Sequence, residues 1–149
     1  MSYEISEGTL AIVPENEDTS KVLEDNKEYV IDKNPFQIMD ESCKYFGSSY
    51  NGRKEGSKSI LGVDYKVPII VEDSSNLVFF PTISPRDPQC AWIAAKQVKY
   101  YEELETGDLK IIFENDKEMV LPISYRSFQN QLLRATRLES IIRNRKKLQ

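Results

Sequence analysis

The stretch SYRSFQNQLLRATRLESIIRNRKKL, residues 124–148, indicates the fold class because it carries the clearest helix pattern in the sequence. Apolar residues recur there at spacings of four, three, three and four, which is the period of one face of an α-helix. They are Phe128, Leu132, Ala135, Leu138 and Ile142. Because Ser124 is also suited to cap the first turn, the sequence predicts a C-terminal helix over about residues 124–148.

The side of this helix opposite the apolar stripe is cationic. At about 100° per residue, Arg126, Arg134 and Arg137 fall within roughly 80° of one another on that side. The last turn adds further basic residues, which suit the negative end of the helix dipole. They are Arg143, Arg145, Lys146 and Lys147. We therefore predict an amphipathic helix with one apolar face and one cationic face.

Upstream of the helix, short apolar or alternating runs predict strands that pair mostly antiparallel. These runs cover residues 65–71, 77–81, 91–101, 109–115 and 118–123. Near the N-terminus we expect a hairpin within residues 3–14 around Glu7-Gly8, a polar loop over 14–20, and a second strand pair, 21–24 with 29–31.

A further helix is predicted over about residues 35–46. Asn34-Pro35 is a helix start signal, with asparagine at the N-cap and proline in the first turn. Phe36, Met39, Cys43 and Phe46 then form one apolar stripe. The expected fold class is α+β, a mostly antiparallel sheet with two main helices, the last one amphipathic and cationic.

The composition favours a single domain over residues 1–149 that is not an enzyme. The 149 residues include no histidine, which removes histidine-based nucleophile pairs, acid–base catalysis and metal sites. Cys43 and Cys90 lack CxxC spacing and are expected to be buried, reduced thiols. We expect no cofactor and no metal. With no secretory signal and no apolar run near the roughly 20 residues that cross a bilayer, a cytoplasmic location is expected.

The net charge of −4 argues against a nucleic-acid partner at first sight, but the charges are segregated along the chain. Residues 1–42 carry eleven acids and three bases, whereas residues 122–149 carry seven bases and one acid. Residues 43–66 are also basic, with five bases and two acids. Positive charge is therefore concentrated in a central segment and in the C-terminal helix.

The central basic segment is FGSSYNGRKEGSK, residues 46–58, which we predict to be a loop. It matches neither a Walker A loop nor a GxGxxG loop. It does supply the donor groups that contact phosphates: glycine N–H groups, hydroxyls and cations. They belong to Gly47, Ser48, Ser49, Tyr50, Gly52, Arg53, Lys54, Gly56 and Lys58. From this chemistry alone, a phosphate-binding loop and a purely structural loop both remain open.

A second unusual segment is SPRDPQCAWI, residues 84–93. Pro85 and Pro88 restrict the backbone on both sides of Arg86. Held on a stiff loop, this arginine either contacts a phosphate or a DNA groove, or pairs with an acid of its own chain.

These segments resemble the ComK family, competence transcription factors of Gram-positive bacteria. The resemblance is carried by SCKYFGSSYNGRKEG (42–56), VPIIVEDSSNLVFFPT (67–82), SPRDPQCAWI (84–93) and LPISYRSFQNQ (121–131), with weaker agreement at EGTLAIVPE and NPFQIMD. It implies an activator of DNA-uptake genes that binds AT-rich boxes through the minor groove as a homo-oligomer. A narrow A-tract minor groove attracts arginine and lysine, which agrees with the clustered bases.

Ser48, Ser49, Tyr50, Gly52, Arg53, Lys54 and Arg86 are the candidate DNA-binding residues that carry over from the family motifs. Lys58, Arg126, Arg134 and Arg137 join them from side-chain chemistry. Relatives that continue beyond the position of Gln149 are expected to be recognised there by a protease adaptor, so this partner is in doubt for a chain that stops at Gln149. An alternative hypothesis is a protein-interaction module, in which the apolar stripe of the last helix pairs with a partner protein. A truncated paralogue that modulates a competence regulator without specific DNA binding belongs to the same alternative.

Overall fold

The computed structural model describes residues 3–148. Three helices lie in this part of the chain: α1 (Pro35–Tyr45), α2 (Tyr50–Leu61) and α3 (Tyr125–Lys147). The strands described are β1 (Thr9–Asn16), β2 (Thr19–Glu24), β3 (Glu28–Ile31), β4 (Ile69–Glu72), β5 (Leu77–Pro81), β6 (Trp92–Ala94), β7 (Val98–Glu103), β8 (Leu109–Phe113) and β9 (Glu118–Leu121).

The strands form two antiparallel sheets, which confirms the predicted α+β class. The larger sheet has six strands in the order β3-β2-β1-β6-β5-β4, and the smaller one has the order β7-β8-β9. A 3-10 turn, Ala95–Gln97, carries the chain from β6 in the large sheet to β7 in the small one. The predicted strand over residues 91–101 is therefore wrong as a single strand. The 3-10 turn between β6 and β7 is stabilised by a hydrogen bond from the Glu114 backbone N–H to the Gln97 carbonyl at 2.8 Å.

The central strands of the large sheet are buried on both faces, so neighbouring residues of one strand belong to different hydrophobic clusters. Phe79 packs with Trp92 and α1, whereas Phe80 packs with Phe128 of α3 and with the small sheet. The rings of Phe80 and Phe128 meet edge to face at 5.3 Å between centroids. The sheet thus lies between a layer that contains α1 and a layer that contains α3 and the small sheet.

Helix α1 and helix α3 follow their predicted bounds closely, but Phe36 of the predicted α1 stripe is exposed and Ile38 is buried instead. The Asn34 side chain accepts a hydrogen bond from the Gln37 N–H, and Ser124 does the same for the Ser127 N–H of α3. The apolar stripe of α3 is directed inward, and Phe128, Ala135 and Leu138 are fully buried. The interaction hypothesis therefore loses its basis, because the chain covers this stripe with its own core. None of the helices within residues 3–148 is long and apolar enough to span a membrane.

Residues 50–61 form α2, which corrects both the predicted loop and the predicted count of two main helices. Ser49 caps this helix by accepting from the Gly52 N–H at 3.0 Å, and Gly62 ends it in the left-handed conformation. The buried residues Tyr50, Ser57 and Leu61 lie on the inner side of the helix. Tertiary packing of this side outweighs the poor helix propensity of the two glycines within it.

The hairpin predicted around Glu7-Gly8 is also wrong. Strand β1 begins after Gly8 and pairs with β2, so the polar segment 14–20 contains the turn of the first hairpin. The chain before Gly8 is held by side chains instead, since the Ile5 N–H donates to the buried Ser42 hydroxyl at 3.1 Å. The second strand pair is confirmed as β2 with β3.

Candidate nucleic-acid interface

The first predicted DNA-binding segment places its donors at the N-terminus of α2, but several of them already have structural roles. The Ser49 hydroxyl serves as the helix cap, and Tyr50 is almost fully buried. The Tyr50 ring lies 4.7 Å from that of Phe36 and 5.9 Å from that of Trp92. Burial raises the pKa of the Tyr50 hydroxyl, so it stays protonated. Tyr50 therefore anchors the helix and positions its neighbours.

The cations of α2 differ in how freely they can meet a partner. Lys58 lies 3.7 Å from the Glu55 carboxylate one turn away. Arg53 is half-buried, and its Nε is a buried donor without a hydrogen-bond partner. Lys54 is half-buried and lines a groove beside α2. Gly52 is exposed, but a Cβ there would lie 3.0 Å from the Ser48 Oγ, so a side chain at this position would crowd the serine.

The same groove brings together the two motifs that the sequence singled out. It has a volume of about 1390 Å³ and is lined by Ser49, Tyr50 and Lys54 on one side and by residues 84–88 on another. Residues 84–87 of the second motif form a turn, in which the Asp87 N–H donates to the Ser84 carbonyl at 3.0 Å. Arg86 is exposed on this turn, so the fold places it near Lys54.

The charges around the groove are mixed. Its lining cations are Lys44, Lys54, Lys66 and Arg86, and its lining carboxylates are Glu17, Asp18, Asp40, Asp64 and Asp87. Partial burial acts to raise the pKa of Asp40, but the Tyr50 N–H and Lys44 outweigh it and the pKa is lowered. Asp40 is therefore an anion that neutralises Lys44, 3.1 Å away. The groove as a whole does not present a uniform positive field to a polyanion.

The outer face of α3 is different because it carries cations without facing acids. Arg126 and Arg137 are exposed and have no hydrogen-bond or ion-pair partner within residues 3–148. The one acid of the helix, Glu139, has a side chain only 13% exposed and is paired with Arg143 at 2.9 Å. In the last turn, Lys146 donates to the Asp73 carbonyl. This face therefore carries exposed arginines and no exposed acid of the same helix.

Arg134 stands apart from the other two predicted arginines of α3. Its guanidinium lies 5.0 Å from the centroid of the Tyr65 ring, and its NH1 donates to the Gln131 Oε1 at 3.1 Å. Gln131, which the sequence reasoning missed, is buried and donates to the carbonyls of Lys66 and Pro81 at 2.9 and 3.0 Å. The signal for Gln131 was its position inside the apolar stripe, where a polar residue needs internal partners.

Comparison with known proteins supports one family. The chain matches the family described as ComK protein over residues 1–147. It is 41% identical over 147 residues to the competence transcription factor of Bacillus subtilis (strain 168), an alignment that covers 97% of this chain and 77% of that protein. No solved structure matches the chain significantly.

Proposed function

The chain belongs to the ComK family, whose members are competence transcription factors, and we propose that it activates DNA-uptake genes by binding AT-rich duplex DNA. In this proposal one DNA-binding domain acts as a homo-oligomer and contacts the minor groove. The observation that carries it is the outer face of α3, where Arg126 and Arg137 are exposed without acidic neighbours on the same face.

The acidic net charge is compatible with this role because binding depends on the local potential of the contacting surface. Eleven of the acids lie within residues 1–42, away in sequence from the basic C-terminal segment. A-tract minor grooves are narrow and have an enhanced negative potential, which favours arginine side chains. The degenerate edge pattern of this groove still separates A·T from G·C pairs, so a preference for AT-rich sites follows.

The remaining predicted contacts form a second, weaker part of the proposal. Lys54 and Arg86 line one groove and are the best placed of them. Arg53, Lys58 and Gly52 lie on α2, and Ser48 lies just before its cap. The acids of that groove would lower its affinity for phosphates. We therefore assign α3 the main contact and the α2 groove an accessory one, with Ser49 and Tyr50 acting through the position of the helix.

Self-association follows from the size of the α3 surface. From Arg126 to Arg137 the helix rises about 16 Å, which matches only about five base pairs at about 3.4 Å each. One copy would then read a short box, and this small footprint favours a second copy on a neighbouring box, which is the homo-oligomer of this proposal. Recognition by a protease adaptor, expected from the family, is a further proposal that co-purification with such an adaptor would test. A DNA-binding role also supports the cytoplasmic location, which is part of this proposal.

A mobility-shift assay tests this function directly. We expect the protein to retard an AT-rich duplex at lower protein concentration than a GC-rich duplex of equal length. The affinity should fall linearly with the logarithm of salt concentration, with a slope of about −0.9 for each phosphate contact. Two adjacent boxes should yield a complex of at least two chains in sedimentation. Equal affinity for both duplexes, or no binding at low salt, would refute the proposal.

A further inference from the structure

An exposed leucine lies in the middle of the cationic face of α3. The side chain of Leu133 is 61% exposed, although the helix has a buried stripe on its other side. A single exposed apolar residue needs no explanation by itself. Leu133 differs in its flanks, since Arg126 lies seven residues before it and Arg137 four residues after it. Both cations are exposed on the same side of the helix.

Two asparagines complete this row. At about 100° per residue, all five side chains fall within roughly 60° of one another. The row consists of Arg126, Asn130, Leu133, Arg137 and Asn144, and every member is exposed. No acid lies in the row. We call this set of five residues the outer row.

The rest of α3 is fixed, so the outer row cannot turn inward. Phe128, Ala135 and Leu138 are fully buried on the opposite side. The Gln131 amide donates hydrogen bonds to two backbone carbonyls, and the Arg134 guanidinium stacks on the Tyr65 ring. Leu133 is consequently presented to solvent by a helix whose rotation is set by the core.

The width of the DNA minor groove limits how the outer row can contact it. The minor groove is about 6 Å wide, whereas a helix with its side chains is about 10–12 Å across. A helix can therefore enter the minor groove only where the groove is opened. Proteins open it by inserting an apolar side chain between two base pairs, and they read the flanking edges with arginine and asparagine. In the outer row, Leu133 is likewise flanked on each side by one arginine and one asparagine.

We propose that Leu133 is a wedge that inserts between two base pairs of an AT-rich duplex, unstacks them and bends the DNA. Arg126 and Asn130 contact the groove on one side of the opened step, and Arg137 and Asn144 contact it on the other. The inference rests on the proposed function, since it requires binding to duplex DNA. It adds the residue that deforms the duplex and the consequence that binding is accompanied by a kink.

The test uses AT-rich duplexes in which 2-aminopurine replaces one adenine at a time, because this base fluoresces more strongly when it is unstacked. With saturating wild-type protein we expect increased fluorescence at one step of the box and a bend in circular-permutation gels. Leu133→Ala should lose both signals and bind the intact duplex roughly tenfold more weakly, while its salt slope stays unchanged. Leu133→Met, which keeps a long apolar side chain, should retain both signals.

The controls separate the wedge from the fold and from DNA binding itself. Val120→Ala removes a similarly exposed apolar side chain from β9 and should leave fluorescence and affinity unchanged. Alanine is the best helix former, so Leu133→Ala should unfold at the wild-type temperature. A duplex with a mismatch at the opened step should restore the affinity of Leu133→Ala. If the wild type binds without a fluorescence change, or if Leu133→Ala gives the same fluorescence and bend as the wild type, the proposed insertion of Leu133 is wrong but the proposed function is not. Absence of wild-type binding overturns the proposed function as well.

Discussion

Replacing Arg126 and Arg137 by glutamine should weaken the salt dependence of DNA binding. Each phosphate charge that a cation neutralises at the groove contributes about −0.9 to the slope of log affinity against log salt, so loss of two cations should make the slope of the double variant smaller in magnitude by about 1.8. The full effect is expected because both guanidinium groups are exposed and have no internal partner among the described residues. When the salt concentration is raised from about 50 to 200 mM, the fold-decrease in affinity should therefore be about ten times smaller for the variant than for the wild type.

Fluorescence anisotropy of a labelled AT-rich duplex, measured at several salt concentrations, provides the slope. Lys99→Gln is the matched control for each single arginine variant because it also removes one positive charge. Lys99 is paired with Asp116 at 2.8 Å on the small sheet, away from α3 in sequence. Arg134→Gln should change the slope less than Arg126→Gln does, because the Arg134 guanidinium is already engaged by Tyr65. Equal slopes for the double variant and the Lys99 control would refute the assignment of the main contact to α3.

Three further predictions concern the fold that positions this surface. Gln131→Leu should cost about 1–3 kcal/mol because it removes the hydrogen bonds to the buried Pro81 carbonyl and the part-buried Lys66 carbonyl. Urea unfolding should show a lower midpoint with an unchanged m-value. Ser49→Ala should remove about 1 kcal/mol through loss of the α2 cap, which thermal melting would detect as a decrease of a few degrees. Burial raises the pKa of Cys43 to about 12 and that of Cys90 to about 11, so neither thiol should react with a thiol reagent at pH 8 until the protein unfolds. The folded state holds these protons more tightly than the unfolded state does, so the free energy of unfolding should decline as the pH rises above about 9. Cys43→Ala should reduce that decline. The same pH dependence in this variant as in the wild type would contradict the reasoning.

The helices at residues 35–45 and 125–147 were predictable because their signals are local. Each has a capping side chain directly before a periodic apolar stripe, and both caps make the expected hydrogen bonds. Helix α2 has no such stripe, and Gly52 and Gly56 lower its intrinsic helix propensity. Its inner side is defined by Tyr50, Ser57 and Leu61, whose burial depends on packing beside the sheet. A sequence window contains no information about that packing.

The candidate site shows the same division. The motifs at residues 46–58 and 84–93 were recognisable as unusual segments, but their meeting in one groove requires the folded chain. The acids that reduce the positive charge of this groove come from four separate parts of the chain, including Asp18 and Asp64. Counting charges in sequence segments therefore overestimated the basic character of the α2 region.

The sequence by itself determined the α+β class, the amphipathic C-terminal helix and the resemblance to the ComK family, because these depend on local periodicity and on ordered motifs. Only the tertiary structure decided which cations are available. A helical wheel places Arg126, Arg134 and Arg137 together, yet the fold brings Tyr65 against Arg134 and leaves the other two in solvent. The physical reason is that an ion's availability depends on the groups within a few ångströms, and distant parts of the chain supply those groups.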